Sequence, residues 1–360
     1  MTDVLDLPTR RHEEWRWSRL DALPALAATP RGSAQDAAQH FIGLGGPQLV
    51  FVDGVLDEGA SVPGRVSVEA LDLVTDHPLG RHATGAGWSL TLDAEQAAEP
   101  IEIVHVASGG ANHLPARIML AEGAVASIVE TYVGAGWSNR LTQIELARSA
   151  RLMRSVRLLQ ASGFVSVRDE ALVGKHANLV SIFLGAGGMD CRIDGAINVH
   201  GDTAFAEMGG ALLTEREQHQ ECAVAVRHDA VGGKSRQVWR AVAKDKSAVS
   251  LAARVEVARA AQKTDGEQSL RGLLLDRTAT VNLKPELEIF ADDVKCAHGA
   301  TVGELDARAL FYLESRGIAP ARARGLLTRA FVADALDWID NETVRDAFAA
   351  DAERWLEKAL

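Results

Sequence analysis

The chain is short of cysteine, of aromatic residues, of positive charge and of long apolar runs, and each shortage removes a class of protein. Only three cysteines occur in 360 residues. Cys191, Cys222 and Cys296 are 31 and 74 residues apart, an odd set with no CxxC pair. That is not a disulfide framework, and it fits a reducing compartment. Aromatics make up 5% of a chain that is 47% hydrophobic, so the core must be built from Ala, Val, Leu and Ile. Such residues suit thin, repeated layers better than one thick globule. No apolar run approaches the ~20 residues that span a bilayer. Met1-Thr2-Asp3-Val4-Leu5-Asp6 shows no basic segment followed by an apolar one, so no signal peptide and a cytoplasmic location are expected. With 38 Lys and Arg against 49 Asp and Glu, the net charge is −11. A general positive field for nucleic acid or for a membrane surface is excluded.

Catalytic and nucleotide motifs are missing too. There is no G-x-x-x-x-G-K-[ST], G-x-S-x-G or H-E-x-x-H, so no nucleotide is expected to bind this chain itself. Gly185-Ala186-Gly187-Gly188-Met189 follows a strand-like run, but it lacks G-x-G-x-x-G spacing and reads as a bend.

What is present falls into three parts. Residues 1–45 read as a short helical segment, broken at Gly43-Leu44-Gly45-Gly46-Pro47. Residues 46–300 carry many short strand-like runs, such as Leu49–Val52, Ile101–Ala107, Leu179–Leu184, Cys222–Arg227 and Leu287–Phe290, punctuated by Gly, Asp and Asn. Spacing leaves sandwich, jelly roll and solenoid open. The lack of Asn-Gly hairpin signals and the recurring small residues favour a solenoid. Arg140–Leu159 fits helix or strand. Arg148, Arg151, Arg154 and Arg157 share a helical spacing and read as a solvated face or ion-pair network. From residue 301 to 360 the period turns helical. Thr301-Val302-Gly303-Glu304 matches a capping box, Gly317 a stop, Pro320 a first turn and Asn341 a cap.

One stretch concentrates the chemistry. Cys296 and His298 stand two apart after an extended run, and residues i and i+2 of a strand share a side. Thiolate and imidazole are both iron ligands. Two ligands do not hold a cluster, so the pair reads either as a buried Cys beside a His that caps a turn or as a half-site completed by ligands from another chain. Asp292 and Asp293 read as turn residues. His105, His113, His176, His200 and His228 read as hydrogen-bonded coil residues, and Cys191 and Cys222 as buried small apolar groups.

Lys284 to Gly303, with Cys296-Ala297-His298-Gly299-Ala300-Thr301 inside it, resembles the C-terminal signature of the SufB/SufD family of iron–sulfur cluster assembly scaffolds, in its SufD-like branch. Pro8 to Trp17 resembles the family's N-terminal signature. The resemblance implies a mainly β fold, a right-handed parallel β-helix between the short N-terminal helical segment and the C-terminal helical domain. It implies a non-catalytic scaffold that pairs with a SufB-like paralogue and a SufC-like ABC ATPase, or with a second copy when alone. It points to His298, with Cys296, at an interfacial site holding a transient iron–sulfur cluster. It places ATPase docking on the helical domain, at Tyr312, Arg316, Leu327 and Phe331, and it allows a flavin in the complex. Gly299 replaces the acidic residue of the SufB branch, which argues against a primary sulfur acceptor. The alternatives from other classes are a polysaccharide-active β-helix enzyme and a structural homodimer.

Overall fold

The short runs become strands, and the strands stack. In the computed structural model, which describes residues 6–359, each coil gives one strand to each of two sheets. The first sheet runs in order through Gln48–Val52, Ile101–Ala107, the first part of Val125–Leu146, Arg151–Leu158, Asn178–Gly185, Phe205–Thr214, Lys234–Ala243, Asp265–Leu274 and Lys295–Gly303. The second runs through Gly85–Leu92, Ala111–Leu120, the rest of Val125–Leu146, Ser162–Val173, Asp190–Val199, His219–His228, Ala248–Val257 and Thr280–Ile289. Every pairing within these two series is parallel. The fold is a parallel β-solenoid, and the register advances by 27 residues from Arg151 to Asn178 and by 31 from Lys234 to Asp265.

Sharp corners make this possible. Ser149, His176, Thr203 and Lys263 each stand two residues before a first-sheet strand and adopt φ between 53° and 64°. Each donates its backbone N–H to a carbonyl of the next coil: Lys175, Asp202, Val231 and Asp293 respectively. The corner is therefore a ladder of its own, and its hydrogen bonds offset the left-handed backbone. Between the sheets lies an aliphatic interior that includes Leu152, Val156, Phe183, Trp239 and Leu251.

Arg140–Leu159 is strand, not helix, and its arginines separate accordingly. Arg154 points into the interior, Arg157 is buried beneath the C-terminal helices, and only Arg148 and Arg151 meet solvent. The solvated stripe is not formed because a strand sends residues three apart to opposite faces, whereas the ion-pair alternative holds for Arg148, Arg154 and Arg157, which meet Glu122, Glu130 with Asp169, and Asp351.

The N-terminal signature lies across the outer face of the second sheet. Trp15 packs with Leu79, Trp137 and Phe164. The Arg192 guanidinium sits 3.6 Å from the Trp15 ring and donates to Ser18 Oγ at 2.7 Å. Glu13 reaches Lys284 at 2.8 Å, tying the first residues to the last second-sheet strand. A short α-helix, α1 (Leu23–Ala27), and a 3-10 turn at Ala38–His40 follow.

Three helices close the chain: α2 (Ala307–Ser315), α3 (Pro320–Ala333) and α4 (Glu342–Ala359). Asn341 caps α4 through Val344 N, and Gly317 ends α2 at φ 82°, both as read from the sequence. Thr301 does not cap α2. It belongs to the Lys295–Gly303 strand, paired with Arg271, and Asp306 takes over by accepting from Arg308 N at 2.8 Å. Phe348, Trp355 and Leu356 of α4 pack on Ile182, Leu213 and Val242 of the first sheet. Arg157 to Asp351 at 2.6 Å and Arg240 Nε to Asp334 at 2.9 Å pin this cover. The helices thus lie along the flank of the solenoid and do not plug its end.

Beside this cover stands an anomaly. Glu207 is fully buried on the outer face of the first sheet, and neither carboxylate oxygen has a partner among the described residues. Burial pushes its carboxyl up to about 7, against the pull of Arg236. A folded-state value above the unfolded one means the native protein holds the proton more tightly, so stability falls as pH rises from about 4.5 to 7. Glu207→Gln removes that loss. At pH 8 it is expected to stabilise the protein by on the order of 2–3 kcal/mol, with little gain at pH 4.5. Urea unfolding at the two pH values checks this, and an equal effect at both would contradict it.

Candidate functional site at the open end of the solenoid

The two ends of the solenoid differ. At the N-terminal end, Val55–Leu56 and Val66–Leu71 pair antiparallel onto the first strands and close them off. At the C-terminal end no further strand follows among the described residues, where Lys295–Gly303 pairs only with Asp265–Leu274, and Thr280–Ile289 only with Ala248–Val257. Cys296 is half-buried, and every other residue of the last strand is exposed. Phe290 (51% exposed), Val302 and Ile289 add apolar surface there. Pro285 sits in the last second-sheet strand, the edge position where a residue without N–H is tolerated.

Cys296 and His298 stand on that last strand, in register with Gly266 and Gln268. A Cβ at Gly266 would lie 3.4 Å from Cys296 Sγ, so the missing side chain leaves room for the thiol on the inner side. Alternation places His298 on the same side. Burial raises the Cys296 thiol above its usual range, so the thiol would have to lose a proton before it could bind a metal. No group of three or more His, Cys, Asp or Glu able to hold a metal occurs among the described residues. The pair is therefore two donors at an open edge.

The other residues singled out in the sequence fall elsewhere. Asp292 and Asp293 form the bend before the last strand, with Asp293 paired to Lys263. His105 bonds Glu130 at 3.0 Å, His113 bonds Asn139 at 3.0 Å, His228 bonds Ser235 at 2.8 Å, and His176 bonds Thr203. Cys191 and Cys222 lie in the aliphatic interior. Gly185–Met189 is the bend between two strands of one coil.

Sequence reading missed a buried ionic cluster. Arg154 Nε donates to Glu130 Oε1 at 2.6 Å, and its Nη1 bonds Asp169. Glu130 Oε2 also accepts from Tyr132 OH at 2.9 Å. Burial would raise the Glu130 carboxyl, but Arg154 and His105 hold it well below the usual carboxylate range.

On the helical cover, α2 has no buried residue. Phe311 is 73% exposed and Tyr312 56%, with the Arg316 guanidinium 4.9 Å from the Tyr312 ring. Leu326 of α3 is exposed as well. Leu327 and Phe331 are half-buried, and Phe331 packs toward the first sheet. Phe311 was not singled out from the sequence, although it follows Leu310 on a helix none of whose residues is buried.

Comparison with known proteins decides the family. Residues 104–331 match the family described as SUF system FeS cluster assembly, SufBD core domain. The chain belongs to the SufBD family. The match runs from the second strand of the first sheet into α3. Along 96% of its length the chain is 26% identical to the iron–sulfur cluster assembly protein SufD of Escherichia coli, covering 88% of that protein. It is 28% identical, over 99% of its length, to a SufBD family protein of Mycobacterium tuberculosis, covering 91% of it. A chloroplastic protein of Arabidopsis thaliana, ABCI7, is 31% identical over 64% of the chain and half of its own length. As a SufBD family member with a SufD-like sequence, the chain takes part in iron–sulfur cluster assembly. No helix among the described residues is long and apolar enough to cross a membrane.

Proposed function

We propose that the chain is the non-catalytic, SufD-like scaffold subunit of a cytoplasmic cluster-assembly complex. It pairs through the open end of its solenoid with a SufB-like paralogue and carries a SufC-like ABC ATPase on α2 and α3. The uncovered edge supports this most. Two strands of nine and ten residues end the solenoid side by side with their outer backbone groups unpaired, a surface that folded proteins close off or share. Without the paralogue, the same edge would pair with a second copy.

The chemistry fits a shared site. The iron–sulfur cluster is cargo, and this chain brings an imidazole and a thiol to the edge where a partner's donors would meet them. Neither donor can retain a cluster alone, which suits a site that must release its product. Domain 301–360 would carry the ATPase, and ATP turnover there would move the scaffold pair.

His298→Ala is expected to lower the cluster formed per complex by at least ~10-fold, the scale reported even for losses around a metal site. Co-purify the tagged chain with both partners, confirm the assembly by light scattering, and measure iron and acid-labile sulfide. Full iron and sulfide in an intact variant complex would sink the role of His298. A chain that elutes without either partner would sink the scaffold reading itself.

A further inference from the structure

We propose that Gln268 is a positioning residue for His298: its side-chain oxygen accepts the N–H of one imidazole nitrogen and so leaves the lone pair of the other directed at the open edge. This rests on the reading of His298 as a donor to the assembled cluster.

The argument begins inside the solenoid. Gln237 and Gln268 occupy the same inward register position on successive coils and are both fully buried. Gln237 Nε2 donates to the backbone carbonyl of Arg254 at 3.0 Å. Its Oε1 then accepts from Gln268 Nε2 at 3.1 Å, and the same Nε2 reaches the Glu286 carbonyl at 3.3 Å. Both partners of that nitrogen are acceptors, so the amide cannot be turned the other way round. The orientation of each glutamine is fixed by the one behind it.

The chain of bonds ends in an acceptor with nothing to accept. Gln268 Oε1 is buried and finds no donor among the described residues. An amide oxygen left so is costly, and cooperative chains of this kind polarise their terminal oxygen. The next residue in the same column, one strand outward, is His298, whose ring is exposed and does not reach that oxygen in this structure, so the bond forms when the ring turns inward. Adjacent strands are about 4.8 Å apart, a gap that an imidazole N–H can close. Ligating histidines are typically held in this way, with the second ring nitrogen bonded to a fixed acceptor. The exposed ring at the edge thereby becomes a preset donor. Cys296 lacks an equivalent, since its column continues to Gly266 and not to a polar side chain.

Nitrogen-15 spectra of histidine-labelled full-length protein test this without any cluster. His298→Ala identifies the His298 ring signals by their loss. In the wild type one tautomer is expected to dominate. In Gln268→Leu the tautomer ratio should move roughly fivefold toward that of a free side chain, the equivalent of about 1 kcal/mol for one hydrogen bond. Gln268→Met, a chain of similar length that likewise offers no oxygen acceptor, should shift the ratio in the same direction. A wild-type ring with the free mixture, or a ratio unchanged in Gln268→Leu, overturns the proposal. Should Gln268→Leu not fold, the wild-type ratio and the Gln268→Met spectrum decide. The outcomes are separable from the function: a biased ring with His298→Ala silent in cluster formation would sink the scaffold-site role and leave the hydrogen bond standing.

Discussion

Arg154→Ala is expected to destabilise the protein by about 3–5 kcal/mol at neutral pH, the scale of a buried ion pair broken from one side. Arg154 is fully buried, and it is the cation shared by Glu130 and Asp169. Its guanidinium also lies 5.6 Å from the Phe183 ring. Removing it leaves two carboxylates facing each other in an aliphatic interior, with Tyr132 and His105 as the remaining hydrogen-bond partners of Glu130. The charge then becomes the main penalty. With Arg154 gone, burial raises the Glu130 carboxyl, so the variant should recover part of its stability as the pH falls and both acids take up protons. Urea unfolding at pH 7 and pH 5 measures both effects. A triple exchange of Arg154, Glu130 and Asp169 for apolar residues of similar size should regain most of the loss, because no buried charge is left alone. A loss below about 1 kcal/mol for Arg154→Ala would mean that water reaches the cluster.

That cluster shows where sequence reading stops. Arg154 looked like one of four arginines on a helix because 148, 151, 154 and 157 match that period. The strand that contains three of them instead alternates an interior group with a buried anchor for α4. Its partners are 24 and 15 residues away, in other strands, and nothing local announces them. The coil corners were hidden for a related reason. Ser149, His176, Thr203 and Lys263 hold a left-handed backbone that a reader expects of Gly or Asn. Their stability comes from inter-coil hydrogen bonds that exist only once the coils are stacked. The strands were visible in outline; spacing alone left sandwich and solenoid open, but the missing Asn-Gly turns, the small residues and the family resemblance pointed to the solenoid that the pairing shows. Thr301 made the converse error: its capping box is real as a pattern, but the ladder with Asp265–Leu274 outweighs one cap bond. Where local chemistry does decide, as at Asn341 and Gly317, sequence and structure agree. Cys296 and His298 were legible as a pair because strand alternation alone puts them together.

The double variant Phe311→Ala/Tyr312→Ala is expected to weaken capture of the proposed SufC-like ATPase by roughly 1000-fold, taking each side chain at the ~2 kcal/mol of an interface hot spot. Neither ring is used by the fold. α2 buries none of its residues, and its two aromatics stand on a helix held away from the solenoid. Arg316 over the Tyr312 ring stiffens one of them and keeps a cation at the rim. An aromatic centre with a charged edge is the composition of a protein contact, whereas Leu327 is half-buried and Phe331 packs toward the first sheet. Leu327→Ala and Phe331→Ala should accordingly lower thermal stability more than affinity, and the α2 pair should do the reverse. Titration calorimetry with the ATPase, beside melting curves of each variant alone, separates the two. Unchanged affinity in the double variant would remove α2 from the docking face. Pairing with the paralogue gives the second test, since the open edge ends at Gly303 and α2 starts only at Ala307. If the double variant lost the paralogue as well as the ATPase, the edge and α2 would have to be one interface. Retained pairing would show that the scaffold holds its two partners on separate surfaces, so that motion driven at one can be felt at the other.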